Sequence, residues 1–325
     1  MRCTGKIYRL IVAAAVCAVL ATGCEKPEEA VVAAYEEENY NKEIYRGSLF
    51  AESLCTATAD ILPDGILDAS TLHSAGLFDV NGKNVDIACR LHERLYPAST
   101  TKIMTALVAI QKGDLSAAVT VAQEADISNF AWDESICGIK AGDTLTLLDL
   151  LHGLMLESGN DAAVAIAVHI AGSTDAFSQM MNEEAQRLMA TNTHFVNSNG
   201  LHDENHYTTA YDLYLIFNEC IKHQEFVDII NAKQYMAQIT GADGQVRQAD
   251  WAQTNFYASG RAELPVGATV VGGKTGTTDE AGNCLILLNE TSDGSPYISI
   301  VMGAATKELL YQDMTAMINR ISANE

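Results

Sequence analysis

Proline and tryptophan are scarce in this 325-residue chain, with 5 and 2 copies, and basic residues are outnumbered, 20 Lys and Arg against 42 Asp and Glu. The proline shortage, with only 23 glycines, excludes collagen-like and proline-rich low-complexity chains. A formal net charge of −22 gives an acidic surface that repels phosphate backbones, which argues against a nucleic-acid partner. There is no CxxC pair, so zinc-ribbon and thioredoxin-like readings fall away. No repeat with a period of 20 to 50 residues is present. No uncharged run reaches the roughly 20 residues that a membrane-spanning helix needs.

What is present is a globular composition. Hydrophobic residues make up 48% of the chain, too many for a disordered one. The longest apolar run, residues 10–22, covers about 13 positions behind Arg2, Lys6 and Arg9. It reads as the core of an export signal over residues 1–23. The run ends Leu20-Ala21-Thr22-Gly23-Cys24, which resembles a bacterial lipobox, with Cys24 as the lipidated residue. Ordinary cleavage near Ala21 or Gly23 is the alternative. Residues 24–50 are rich in Glu and lack apolar periodicity, as expected for an acidic tether or a solvated helix. Residues 51–325 are expected to form one catalytic domain with no second C-terminal domain. Of the eight cysteines, Cys55, Cys89, Cys137, Cys220 and Cys284 remain in it, an odd number that allows at most two bridges and suits small buried hydrophobes.

Strand signals lie at both ends of that domain and helical periodicity fills its middle. Residues 75–90 alternate around Asn81-Gly82, which predicts a hairpin. Helical patterns follow over 99–112, 145–157, 161–171, 173–190 and 209–221. Strands are clearest at 266–271, 284–289 and 297–302, and an amphipathic helix closes the chain from Lys307. This order predicts an α/β chain of the α+β type. An antiparallel sheet from both termini is flanked by helices, and a helical subdomain over about 114–225 is inserted.

Three short motifs carry chemistry. In Ser99-Thr100-Thr101-Lys102, a hydroxyl and an amine three residues apart share a helix face. A free Lys titrates near 10.4, but burial or a second cation lowers that value and leaves a neutral amine able to activate the serine. In Ser158-Gly159-Asn160, a hydroxyl and an amide sit between two predicted helices, where a loop can present them to a cleft. Lys274-Thr275-Gly276 follows Gly272-Gly273, whose lack of side chains lets a substrate backbone approach. About one SxxK is expected by chance in such a chain, and SxN recurs at Ser322. The order of all three is the informative feature.

That ordered set resembles the one in penicillin-binding proteins and class A β-lactamases. The stretches Tyr96–Leu107, Leu154–Ala163, Thr193–Leu201, His206–Ala210 and Gly272–Gly282 resemble the low-molecular-mass serine-type D-Ala-D-Ala carboxypeptidases. The resemblance runs from about residue 70 to the C-terminus. It implies the DD-peptidase/β-lactamase-like transpeptidase fold and a hydrolase that removes the terminal D-Ala from peptidoglycan stem peptides. Such an enzyme serves cell-wall biogenesis and cell shape outside the membrane, needs no cofactor, and binds β-lactams as covalent inhibitors. By motif, Ser99 is the nucleophile, Lys102 its general base and Ser158 a proton relay, while Asn160 positions substrate and Lys102. Lys274, Thr275 and Gly276 hold the substrate, and the backbone N–H groups of Ser99 and Thr277 form the oxyanion hole. Where the family often has Asn-Pro, this chain has Asn197-Ser198, which is expected to alter only a loop.

His194, His202 and His206 raise a zinc carboxypeptidase as a rival, but Gly200, Asp203 and Asn205 make their segment a loop, so no metal is assigned. Three further rivals are an endopeptidase acting on cross-links with the same residues, a serine β-lactamase, and a non-catalytic wall-binding lipoprotein. No Glu-x-x-Leu-Asn segment of the β-lactamase kind lies between Ser158 and Lys274. Intact Ser99, Lys102, Ser158 and Lys274 argue against a pure binder.

Overall fold

The computed structural model describes residues 54–321, so the expected signal segment, Cys24 and the acidic tether lie outside the described residues. The main sheet has five antiparallel strands in the order β2-β1-β9-β8-β7. They are β1 (Ser74–Asp79), β2 (Asn84–Cys89), β7 (Thr269–Thr278), β8 (Gly282–Glu290) and β9 (Pro296–Ala304). The strands nearest the two ends of the domain lie side by side, β1 pairing with β9 from Ser74–Met302 to Asp79–Tyr297.

The predicted hairpin is present, although its loop is longer than the Asn-Gly signal suggests. Asp79 faces Asn84, so four residues form the turn. The Asp79 carboxylate accepts the Gly82 N–H at 2.7 Å, and the left-handed residue is Lys83, with φ of 55°.

Residues of β8 are buried on both faces, which explains its unbroken apolar run Cys284-Leu-Ile-Leu-Leu. Leu285 and Leu287 pack on one side against Leu310, Met314, Met317 and Ile318 of α7 (Lys307–Ile318). Ile286 and Leu288 belong to the core on the other side, shared with Ile103, Met104 and Leu107 of α1 (Lys102–Lys112).

The middle of the chain supplies α2 (Leu147–Leu156), α3 (Asn160–Ala171), α4 (Thr174–Arg187), α5 (Ala210–Cys220) and α6 (Gln224–Asn231). Local chemistry sets their ends. Thr146 and Asp149 form a reciprocal capping box on α2, and α3 stops at Gly172 with φ of 79°. Ser173 then caps α4 through the Ala176 N–H at 3.1 Å.

This middle region is not wholly helical. A second antiparallel sheet joins β3 (Ala118–Thr120), β4 (Thr144–Thr146), β5 (Gln234–Thr240) and β6 (Val246–Ala252) in that order. Strands of three residues are too short to show alternation. Arg247 ties this sheet to the segment before β4 by an ion pair to Asp143. All five described cysteines are buried free thiols.

Candidate active site

Ser99 lies in a single 3-10 turn, residues Ala98–Thr101, immediately before α1. Three residues per turn stack Ser99 directly over Lys102, a tighter alignment than an α-helix gives. The turn is unusual in its backbone: Ala98 has φ of 48°, a left-handed conformation that costs a residue with a Cβ about 1–3 kcal/mol. Two glycines clamp it. A Cβ on Gly200 would stand 1.9 Å from the Ala98 carbonyl oxygen, and one on Gly276 would stand 3.0 Å from Ser99 N and Thr100 N. The loop after Ala190 and strand β7 therefore close on the Ser99 turn from two sides.

Lys102 is fully buried. Its Nζ lies 3.0 Å from Ser99 Oγ, 2.8 Å from Asn160 Oδ1 and 2.5 Å from the Asn199 carbonyl oxygen. Burial, then the charge of Lys274, hold its amine well below the usual lysine range, against the opposing charges of Asp161 and Glu134. The loop that supplies the Asn199 carbonyl is pinned to the helices. Thr105 donates to the Ser198 carbonyl at 2.6 Å, and Ser198 Oγ donates to the Ala163 carbonyl at 3.0 Å. Ser198 thus does more than reshape a loop: its hydroxyl makes a buried bond that proline could not make.

His206 braces the same turn. Its Nδ1 accepts the Val196 N–H at 3.1 Å, so Nε2 carries the hydrogen and donates to Thr101 Oγ1 at 2.8 Å. Burial pushes its pKa down to about 4, which keeps the ring neutral. Both ring nitrogens are occupied by protein. His194 Nδ1 bonds the Asn205 carbonyl, and His202 packs edge-on against Tyr96.

The second motif sits on the three-residue link between α2 and α3. Ser158 is left-handed, with φ of 60°, and nearly buried. Asn160 opens α3, and its Nδ2 donates to Glu134 Oε2 at 3.1 Å. Its neighbour Asp161, fully buried, accepts the N–H groups of Cys137, Gly138 and Ile139 between 2.8 and 3.1 Å. One carboxylate thereby fixes the segment that carries Glu134 against the start of α3.

Lys274 projects from β7 to Ser158 Oγ at 3.0 Å, and it also donates to the Thr275 carbonyl at 2.9 Å. Burial lowers its pKa to about 7. Strand alternation sends the Thr275 hydroxyl the other way, where it meets Thr254 Oγ1 at 3.0 Å. Ser99, Glu134, Asn160, Asn199, Gly200 and Thr277 face a common cavity of about 320 Å³. A cavity of about 440 Å³ at Lys233, Gln253 and Val266 contains none of Ser99, Lys102, Ser158 or Lys274, so chemistry and not size picks out the site.

The structure thus joins Ser99, Lys102 and Asn160 in one hydrogen-bonded group and Ser158 with Lys274 in another, beside Gly276 and Thr277. Sequence reasoning gave no role to Glu134, the Asn199 carbonyl or Thr254. A main-chain acceptor carries no side-chain signal, and Glu134 belongs to a loop without periodicity.

The sequence profile of the D-alanyl-D-alanine carboxypeptidase family, peptidase family S11, matches residues 68–306. The chain is 31% identical to the D-alanyl-D-alanine carboxypeptidase DacF of Bacillus subtilis, over 70% of this chain and 56% of that protein. It is 30% identical to DacA of Haemophilus influenzae, over 81% of this chain and 65% of that protein. With the D-alanyl-D-alanine carboxypeptidase of Streptomyces sp. K15 the identity is 30%, over 85% and 95%. The first two alignments therefore span less than two thirds of those relatives. Among solved structures, the Streptomyces K15 DD-transpeptidase superposes with a TM-score of 0.71 at 30% identity, covering 78% of this chain and 97% of that one. Penicillin-binding protein 5 from Haemophilus influenzae gives 0.67 at 29%, covering 80% and 71%. The chain, with its two antiparallel sheets and seven described helices, belongs to the D-alanyl-D-alanine carboxypeptidase family.

Proposed function

We propose that this protein is a penicillin-binding serine D-Ala-D-Ala carboxypeptidase that trims peptidoglycan stem peptides through an acyl-enzyme on Ser99. The observation that carries the reading is the hydrogen bonding of Lys102. A neutral amine has two N–H groups and one lone pair. The carbonyl oxygens of Asn160 and Asn199 take the two N–H groups, at 2.8 and 2.5 Å, so the lone pair is left facing Ser99 Oγ at 3.0 Å. That is the arrangement of a base poised to take the serine proton.

Ser99 Oγ then attacks the carbonyl carbon of the penultimate D-Ala while its proton passes to Lys102 Nζ. The oxyanion is held by the backbone N–H groups of Ser99 and Thr277, donors commonly worth about 3 kcal/mol each in the transition state. The C–N bond breaks as a proton reaches the leaving amine through Ser158, which lies against Lys274. Lys274 receives the terminal carboxylate, whereas the Thr275 hydroxyl is engaged by Thr254 on the other side of β7. Water, deprotonated by the same lysine, hydrolyses the ester and frees Ser99.

The reading extends to the cell envelope: an exported chain acting outside the membrane and held there by a lipid on Cys24. Among the described residues no helix is long and apolar enough to cross a membrane. Two measurements test the proposal. Incubation with a penicillin should add one acyl mass to the protein and none to Ser99→Ala, and an equal adduct on both would refute the nucleophile. A Cys24→Ser variant should leave the membrane fraction, and retention there would refute the anchor.

A further inference from the structure

We propose that Glu134 is a positioning residue of this active site, fixing the side-chain amide of Asn160 so that Lys102 is left with its lone pair toward Ser99. The inference rests on the serine carboxypeptidase reading above and adds to it a residue that none of the three motifs contains.

The geometry forms a relay of fixed polarity. Glu134 is a carboxylate, so it only accepts hydrogen bonds. Its Oε1 accepts the Ala131 N–H at 3.3 Å, and its Oε2 accepts Asn160 Nδ2 at 3.1 Å. With both oxygens held, the carboxylate does not sweep the cavity. It can receive only the NH₂ end of the Asn160 amide, so the carbonyl end is turned toward Lys102, 2.8 Å from Nζ.

Lys102 cannot impose that choice itself. A neutral amine both donates and accepts, and would tolerate the amide in either orientation. In the reversed orientation the Asn160 NH₂ would donate to the Lys102 lone pair, the pair that must receive the Ser99 proton. Glu134 removes that state by placing a negative charge against the Asn160 oxygen. The segment bearing Glu134 is itself anchored, because Asp161 accepts its Cys137, Gly138 and Ile139 N–H groups and the Ser135 carbonyl accepts Asn160 N–H at 2.8 Å.

Glu134 also acts at longer range. The charged and titratable groups facing Lys102 are Lys274 on β7, Asp161 at the start of α3, Glu134 before β4, and neutral His206 in the loop following Ala190. Glu134 is one of the two that favour the ammonium form. Removing its charge lowers the Lys102 pKa further, so the acid limb of acylation moves to lower pH.

The test compares Glu134→Ala and Glu134→Gln with wild type, reading the rate of Ser99 acylation by a penicillin from pH 4 to 9, with thermal unfolding alongside. Glu134→Ala is expected to acylate roughly ten- to a hundredfold more slowly at neutral pH, with an unfolding midpoint within a few degrees of wild type and the acid limb displaced downward. Glu134→Gln retains a carbonyl for Asn160 Nδ2. It should recover to within a few-fold of wild type at its optimum, while its acid limb stays displaced like that of the alanine variant. Wild-type rate and profile in Glu134→Ala would overturn the proposal. So would a rate loss that tracks a lowered unfolding midpoint without any change of pH profile. Failure of wild type itself to be acylated at Ser99 would instead refute the carboxypeptidase reading.

Discussion

Lys102 and Lys274 are two buried amines, each 3.0 Å from a serine hydroxyl, Ser99 and Ser158 respectively. After burial, the charge of Lys274 is the strongest influence lowering the Lys102 amine. Burial lowers both amines, and a charge on Lys274 pushes Lys102 further toward its neutral form. Substrate carboxylate arriving at Lys274 would hold that cation in place.

Loss of the base should harm chemistry more than binding. Lys102→Met keeps the length and apolar packing of the side chain but removes the amine. The expected kcat on a D-Ala-D-Ala peptide falls at least about 100-fold with little change in KM. Steady-state kinetics check this, and near-normal kcat would move the base elsewhere.

Lys274→Gln should show two effects of opposite origin. Without the neighbouring cation the Lys102 ammonium persists to higher pH, so the acid limb of kcat/KM shifts upward. Discrimination for a free terminal carboxylate over its amide, expected at roughly 10- to 100-fold in wild type, should flatten. If wild type hydrolyses acid and amide equally, the carboxylate role is wrong, and an endopeptidase acting on blocked ends gains support.

Gly276→Ala tests how closely β7 must approach the nucleophile. The new methyl would meet Pro97 O, Ser99 N and Thr100 N, all at 3.0 Å, which is too tight for backbone atoms that cannot swing away. The strand or the turn must shift by a few tenths of an ångström. Acylation by penicillin should slow by about tenfold or more while the unfolding midpoint falls only a few degrees.

Asp313 offers a stability test away from the site. It lies on α7 with Oδ2 buried and unpaired among the described residues, and burial and Asp68 push its pKa up to about 6. A carboxyl with a raised folded pKa favours folding while protonated. That contribution is complete below about 4 and is lost as pH rises through about 6. Asp313→Asn should therefore be more stable than wild type at pH 7 by about 1–2 kcal/mol and equal or less stable at pH 4, a crossover that denaturant titrations at the two pH values would reveal.

Much of this organisation was legible in the residues. The Asn81-Gly82 hairpin, the capped helices and the two-sided apolar run of β8 follow from periods and caps acting over a few residues. Ser99, Lys102, Ser158, Asn160 and Lys274 could be singled out because side-chain chemistry at fixed spacing is visible in sequence. Other parts were not legible, for physical reasons. Strands β3 and β4 have three residues each and borrow their stability from β5, far along the chain. Helix α6 went unseen in the short gap after the helical pattern that ends at 221. The Asn199 carbonyl belongs to the backbone, and its position depends on Ser198 and Thr105 bonds that only the folded chain brings together. Glu134 reaches Asn160 because Asp161 gathers three N–H groups of the intervening loop, and no local pattern announces that.

The sheet made from both ends has a consequence for the order in which the protein folds. Ser74 waits for Met302, more than 200 residues away, before β1 gains its second neighbour. Pairings of such sequence separation carry a large loop-closure cost and form slowly, whereas α1 to α5 can gather by nearer contacts. Ser99, Lys102, Ser158 and Asn160 lie on the elements joined by nearer contacts, while Lys274, Gly276 and Thr277 lie on β7, at the end of the main sheet beyond β8 and β9. The full constellation therefore depends on the pairing of the domain's two ends.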